Sequence, residues 1–157
     1  MTTVSNGITT IDADEFGWKK ESVAPQRAEE GVVPGIDLTA FLHDAALELV
    51  AELFGGGDST ALSGLAIRPV LRAVSATFEG PLAPGAPVYV GATLGSLSTR
   101  SFVLVTGVWL AETRKLVAHG TASFVVFDVA TRKTAAVPDA VVDRLNALRP
   151  VLTDSST

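Results

Sequence analysis

The amino-acid sequence predicts an α+β fold: one long, apolar helix wrapped by an antiparallel β-sheet. Three observations carry this. Leu38, Phe41, Leu42, Ala45, Leu49 and Leu53 recur at helical spacing. The stretch Ile67 to Asp128 reads almost throughout as strand, divided by short turn signals. The order, a helix and then consecutive strands, is an α+β pattern and not an alternating one.

Taken in order, residues Met1 to Thr10 are small and polar, which predicts a frayed start. Phe16 to Pro25 reads as a first edge strand, ended by the proline. Gln26 to Gly35 reads as a loop, and Pro34-Gly35 marks the helix entry. Asp37 or Thr39 is expected to cap or charge the first helical turn. Ala46, Leu47 and Val50 make the helix apolar nearly all round, which predicts burial on most sides. Asp37, Asp44, Glu48 and Glu52 form the remaining polar stripe, and Gly55-Gly56-Gly57 stops the helix.

Val70 to Phe78 is the next strand, followed by turns at Gly80-Pro81 and Pro84-Gly85. Val88, Val90, Ala92 and Leu94 alternate in the strand after it. Ser101 to Leu110 and Lys115 to Phe127 are joined by a polar turn at Glu112 to Arg114. Both runs are apolar at either parity, as in strands covered on both faces. Pro138 to Leu148 reads as a short terminal helix opened by its proline.

The 157 residues fit one domain, 1–157, with about 1–15 and about 150–157 as flexible ends. The apolar fraction, 47%, exceeds what a water-facing monomer needs, so part of the surface is expected to meet another subunit. A net charge of −5 without long Lys/Arg runs argues against a nucleic-acid partner. There is no cysteine, which excludes disulfides, thiolate metal sites and a cysteine nucleophile. His43 and His119 alone leave little material for a zinc site, and nothing calls for another cofactor. No apolar run reaches the roughly 18 residues of a membrane span. No basic-then-apolar leader opens the chain, so a cytoplasmic protein with no membrane partner is the expectation.

Three passages carry a family resemblance. Phe78-Glu79-Gly80-Pro81-Leu82-Ala83-Pro84-Gly85 gives a strand, a proline turn and a glycine before the next strand. Leu94-Gly95-Ser96-Leu97-Ser98-Thr99-Arg100-Ser101-Phe102 gives an LGxxS…SF hairpin. Leu116 to Ala122, then Val126-Phe127-Asp128, Thr131-Arg132-Lys133 and Val137-Pro138, give a last strand with a D…TR…P exit. In this order they resemble hotdog proteins of the 4-hydroxybenzoyl-CoA thioesterase type, from Val23 to Leu148.

The resemblance implies hydrolysis of an acyl-CoA or acyl-carrier-protein thioester. A carboxylate in a D-x-x-G loop before the helix, or a Glu within it, would serve as nucleophile or base. Amides at the helix start would polarise the carbonyl. Here the loop position holds Ala28 and the helix position holds His43. Asp12 to Gly17 also spells D-x-D-x-x-G, but no apolar helix follows it, and it reads as a chance match.

The catalytic candidates are therefore His43, Asp44, Glu29 and Glu30. Imidazole titrates near neutrality, as a base on water requires. Gly35, Ile36 and Asp37 are expected to contact the substrate at the helix start. Ser98, Thr99 and Arg100 supply the hydroxyls and guanidinium that suit a CoA phosphate. His119 lacks an acidic neighbour in sequence and reads as structural.

Two other readings compete. One is a non-catalytic hotdog domain that binds an acyl or aromatic ligand, or a partner. The other is a hotdog hydratase or dehydratase, suggested by Val33-Pro34-Gly35 but lacking an acid at Ala40. The sheet's exposed edges, with the resemblance, predict a homodimer or homotetramer.

Overall fold

A computed structural model describes residues 16–55, 62 and 64–148. The elements run β1 (Trp18–Val23), α1 (Gly35–Leu53), β2 (Ile67–Phe78), β3 (Pro87–Leu97), β4 (Ser101–Leu110), β5 (Leu116–Asp128), β6 (Lys133–Thr134) and α2 (Asp139–Ala147). The sheet has the order β1-β3-β4-β5-β2, with β6 beside the end of β5, and every pairing is antiparallel. The expected order of elements therefore holds. The expected flexible ends lie outside the described residues, as do Gly56 and Gly57.

Strand alternation sets two faces. Val88, Val90, Ala92 and Leu94 of β3 share the inner face with Phe102, Leu104 and Val108 of β4. Ala118, Ala122, Phe124 and Val126 of β5 continue it. The N-terminal half of α1 sets Leu38, Leu42 and Ala45 on Val88, Val90, Val108 and Ala118. Its C-terminal half sets Leu49, Val50 and Leu53 on Ala92, Leu94, Phe102, Leu104 and Phe124, where Val141 and Leu145 of α2 close the core. Phe102 and Phe124 stack at 5.3 Å. Each fully buried Leu there contributes about 1.5–3 kcal/mol.

The outer face is covered only in part. Trp109 lies over Gly107 and Gly91, where an added Cβ would stand 2.6 Å and 3.3 Å from its ring. Phe16 meets that indole edge-on at 4.8 Å, and Leu116 packs beside them. Val103, Val105, Thr121, Ser123 and Val125 stay half-exposed, so the expectation that β4 and β5 are covered on both faces fails there.

The helix also departs from its expected burial. Ile36, Ala40, Asp44 and Glu52 are exposed, Ile36 by 74%, because the sheet curves around one side of α1 only. The edges differ too: β1 carries Lys19, Lys20 and Glu21, whereas β2 leaves Val70, Leu71, Val74 and Phe78 open. Among the described residues, no helix is long and apolar enough to cross a membrane.

Candidate active site

The start of α1 sits where the end of β2 meets the helix. Pro34 occupies the N-cap position, and its carbonyl accepts the first helical bond, from the Leu38 N–H at 3.0 Å. Proline offers no side-chain acceptor, and the helix start has no side-chain cap. The amides of Gly35 and Ile36 therefore lack an intrahelical acceptor, at the positive end of the helix dipole. Thr39, expected as a possible cap, instead donates its hydroxyl back to the Gly35 carbonyl at 2.8 Å. At Gly35 an added Cβ would stand 3.0 Å from Cε2 and 3.3 Å from Cζ of Phe78, so the half-exposed ring would have to shift to admit a side chain.

Arg27 ties the preceding loop to the helix. Its Nε donates to Asp37 Oδ2 at 2.7 Å and its Nη1 to Glu29 Oε2 at 3.1 Å. The hydrogen bond to Asp37, helped by Glu29, raises the guanidinium pKa above its ordinary value. Glu29 and Val32 exchange backbone hydrogen bonds of 2.9 and 3.1 Å around a tight turn. Glu30 (φ 53°) and Gly31 (φ 84°) form its two central residues, a type I′ pattern. The loop thus holds Glu29 on Arg27 and displays Glu30 at the turn's tip, while Ala28 stands exposed between Arg27 and Glu29.

At 100° per residue, α1 sorts its candidates onto two flanks. Asp37 and Asp44 share a flank with Glu48 and Glu52, which hold Lys20 and Trp18 of β1. Ile36, His43 and Leu47 lie on the flank toward β2. His43 is half-buried, and its Nε2 is buried with no hydrogen-bond partner. Its Cα lies about 12 Å along the axis from Gly35. Helical side chains lean back toward the N-terminus, which shortens that gap.

The other candidates are elsewhere. Ser98 N–H donates to the Ser101 carbonyl at 2.8 Å, closing the β3–β4 hairpin, with Ser98, Thr99 and Arg100 exposed. Arg100 Nη1 donates to the backbone and hydroxyl oxygens of Thr134 at 3.0 and 3.2 Å. Phe102, just after the hairpin, meets Phe54 at the end of α1. The hairpin is thus at the opposite end of the helix from Gly35, and one copy of the chain does not bring the two together.

His119 does have an acidic partner, absent from its sequence neighbourhood. Its Nε2 lies 3.0 Å from Glu79 Oε2, with the imidazole buried on the outer face. The signal lay in the β2–β5 register: Thr77 opposes His119, and Glu79 is two residues further on the same parity. The approach of Phe78 to Gly35 was also not legible, because it joins a strand end to a helix start. Among the described residues, no group of three or more His, Asp or Glu is placed to hold a metal.

A helix cradled by a β1-β3-β4-β5-β2 sheet, with bare amides at its start, defines a hotdog protein. The chain belongs to the thioesterase-like superfamily, whose family model matches residues 12–145. The hotdog fold and the thioester-hydrolase class expected from the sequence hold. No curated protein matches the chain. A 1,4-dihydroxy-2-naphthoyl-CoA thioesterase from Synechocystis superposes with a TM-score of 0.68 at 20% identity, over 82% of this chain and 96% of that one. The gentisyl-coenzyme A thioesterase BH1999 gives 0.67 at 17% identity, over 82% and 99%. The protein SAV2348 from Staphylococcus aureus, solved in complex with CoA, gives 0.73 at 13% identity, over 86% and 87%. At these identities the likeness is one of fold.

Proposed function

We propose that this protein hydrolyses a coenzyme A thioester and acts as a homodimer joined along β2. The observation that carries the reading is His43: a buried, unpartnered Nε2 on the flank of α1 that leads back to the uncapped helix start. The thioester carbonyl accepts hydrogen bonds from the amides of Gly35 and Ile36, which oppose the charge that develops on its oxygen. His43 takes a proton from water as the water oxygen attacks the carbonyl carbon. The tetrahedral intermediate collapses, breaks the C–S bond and releases the acid and the CoA thiol, which recovers the proton. Glu29, close to the family's carboxylate position and fixed by Arg27, is the reserve base. Glu30 and Asp44 are exposed and further from that role.

The dimer reading rests on β2. A strand of 12 residues at a sheet edge, with Val70, Leu71, Val74 and Phe78 exposed, is a template for a second copy. A two-fold axis between two antiparallel β2 strands inverts one copy against the other. The partner's hairpin then arrives at the end where this copy's helix starts. In that arrangement Ser98, Thr99 and Arg100 serve the neighbouring site and meet the CoA phosphates, while Asp37 frames the carbonyl. Coenzyme A as the carrier follows the CoA-bound and CoA-thioesterase neighbours. Such a substrate fits a cytoplasmic protein.

The test is thiol release from a panel of acyl-CoA esters, read with a thiol reagent, beside light scattering. The expected outcome is stoichiometric thiol production by a dimer. Tight binding of acyl-CoA without thiol release would instead establish the non-catalytic ligand-binding reading.

A further inference from the structure

Arg27 is exposed, yet it holds the carboxylate of the first helical turn. Pro34 is the N-cap residue of α1, so Asp37 is the third residue of the helix. From that position an acidic side chain reaches back to the first N–H groups of its own helix, as in a capping box. The positive end of the helix dipole favours that contact. A proline N-cap has no N–H to occupy the carboxylate, so the first amides it would meet are those of Gly35 and Ile36. The reach-back is not made: the helix start has no side-chain cap. Asp37 Oδ2 instead accepts from Arg27 Nε at 2.7 Å, and Glu29 Oε2 accepts from Nη1 of the same guanidinium at 3.1 Å.

Two acceptors compete for one pair of donors. The amides of Gly35 and Ile36 can bond a thioester carbonyl or the Asp37 carboxylate. The carboxylate is the stronger acceptor, because it is charged, and it is tethered in the same turn. Its charge also opposes the negative charge that develops on the carbonyl oxygen. Left free, Asp37 would close the site to its substrate. The guanidinium gives Asp37 a charge-assisted hydrogen bond elsewhere, and Glu29 anchors that guanidinium to the turn it forms with Val32. Resting on the thioesterase reading above, we propose that Arg27 is a positioning residue: it withholds Asp37 from the amides of Gly35 and Ile36 and so keeps the carbonyl-binding site open. Asp37 then borders the carbonyl without taking its donors.

The test is a double-mutant cycle on the full chain, read by thiol release from the best acyl-CoA ester of the panel. Arg27→Ala is expected to lower kcat by about 10- to 100-fold, up to the loss of one oxyanion donor. KM should change little, because the carbonyl's hydrogen bonds matter most in the transition state. In the Asp37→Ala background the same substitution should cost less than about twofold, since no carboxylate is left to occupy the amides. Comparing within that background cancels whatever Asp37 itself contributes. The melting temperature of Arg27→Ala should hold or rise: an exposed ion pair adds little stability, and a capped helix start replaces it. A loss of kcat that persists in the Asp37→Ala background overturns the proposal and assigns the effect to Glu29 or the loop. An unchanged kcat in Arg27→Ala overturns it as well. If wild type releases thiol from no ester, the hydrolase reading fails by itself. Two-dimensional amide NMR spectra then decide the role of Arg27 without reference to turnover. The Gly35 and Ile36 amide protons should move downfield in Arg27→Ala, as they gain a carboxylate acceptor, and return when Asp37→Ala is added. Amide positions that stay in place in Arg27→Ala overturn the proposal.

Discussion

The two edges of the sheet are built on opposite rules. β1 is six residues long, alternates exposed and half-buried positions, and carries Lys19, Lys20 and Glu21. Its inner-face residues Trp18 and Lys20 are tied to Glu52 and Glu48 of α1. β2 is twice as long and bears Val70, Leu71, Val74 and Phe78 in the open. Short, charged edges resist further pairing, and long apolar ones invite it. The same division runs through α1, with carboxylates on the flank toward β1 and Ile36, His43 and Leu47 toward β2. In the proposed reading, assembly and chemistry therefore converge on one side of the molecule.

The sharpest way to break this comparison is to change neighbours on opposite flanks. His43→Asn should lower kcat by about 10²- to 10⁴-fold, the range for loss of a general base. Its melting temperature should change little, since His43 Nε2 has no hydrogen-bond partner to lose. Asp44→Asn, one residue on but on the other flank, should stay within about twofold of wild type in kcat. Should Glu29→Gln abolish turnover while His43→Asn remains active, the base belongs to the loop.

A charge on the open edge comes next. Val74→Lys sets like charges against each other in a β2–β2 pairing and should give monomers in light scattering. Activity should fall by about 10²-fold, as expected when half of a site is displaced. A Val74→Lys protein that stays dimeric and active would move the interface away from β2. Arg100→Ala should raise KM by about 3- to 10-fold with little change in kcat, the pattern of lost ground-state binding. Lys20→Ala, on the closed edge, should have the smallest effect. Exposed ion pairs contribute about 0.2–1 kcal/mol, and the dimer should persist.

Local pattern made most of the fold legible. The period of Leu38 to Leu53 gave α1 to within a residue or two, and Pro138 opened α2 as expected. The first strand was drawn longer, Phe16 to Pro25 against Trp18–Val23, because fraying ends carry little periodic signal. β2 was drawn shorter, from Val70, since Arg68 and Pro69 are not strand-like residues; Pro69 sits where its register allows. The helix start at Pro34-Gly35 was legible in the sequence, and the resemblance singled out His43, whose role stands as a proposal. What escaped were contacts between separate segments: Glu79 with His119, Phe78 with Gly35, and Arg27 with Asp37. Each joins residues whose meeting depends on how separate segments align, and composition does not encode that alignment. Of the two first-turn candidates, Asp37 does place its charge in that turn, bonded to Arg27, whereas Thr39 lies too far into the helix to cap it.

The placement of the two tryptophans gives this protein its own optical readout. Trp109 is sealed on the outer face against Phe16 and the glycines of β3 and β4. Trp18 is half-buried on the inner face, with its indole N–H on Glu52 at 3.2 Å. Fluorescence from Trp109 is therefore blue-shifted and shielded from a soluble quencher, while that of Trp18 is red-shifted and quenched. Replacing either one with phenylalanine leaves a single emitter. The remaining signal follows loosening of the outer face, or release of α1 from the β1 edge, as two separately coloured events in one titration.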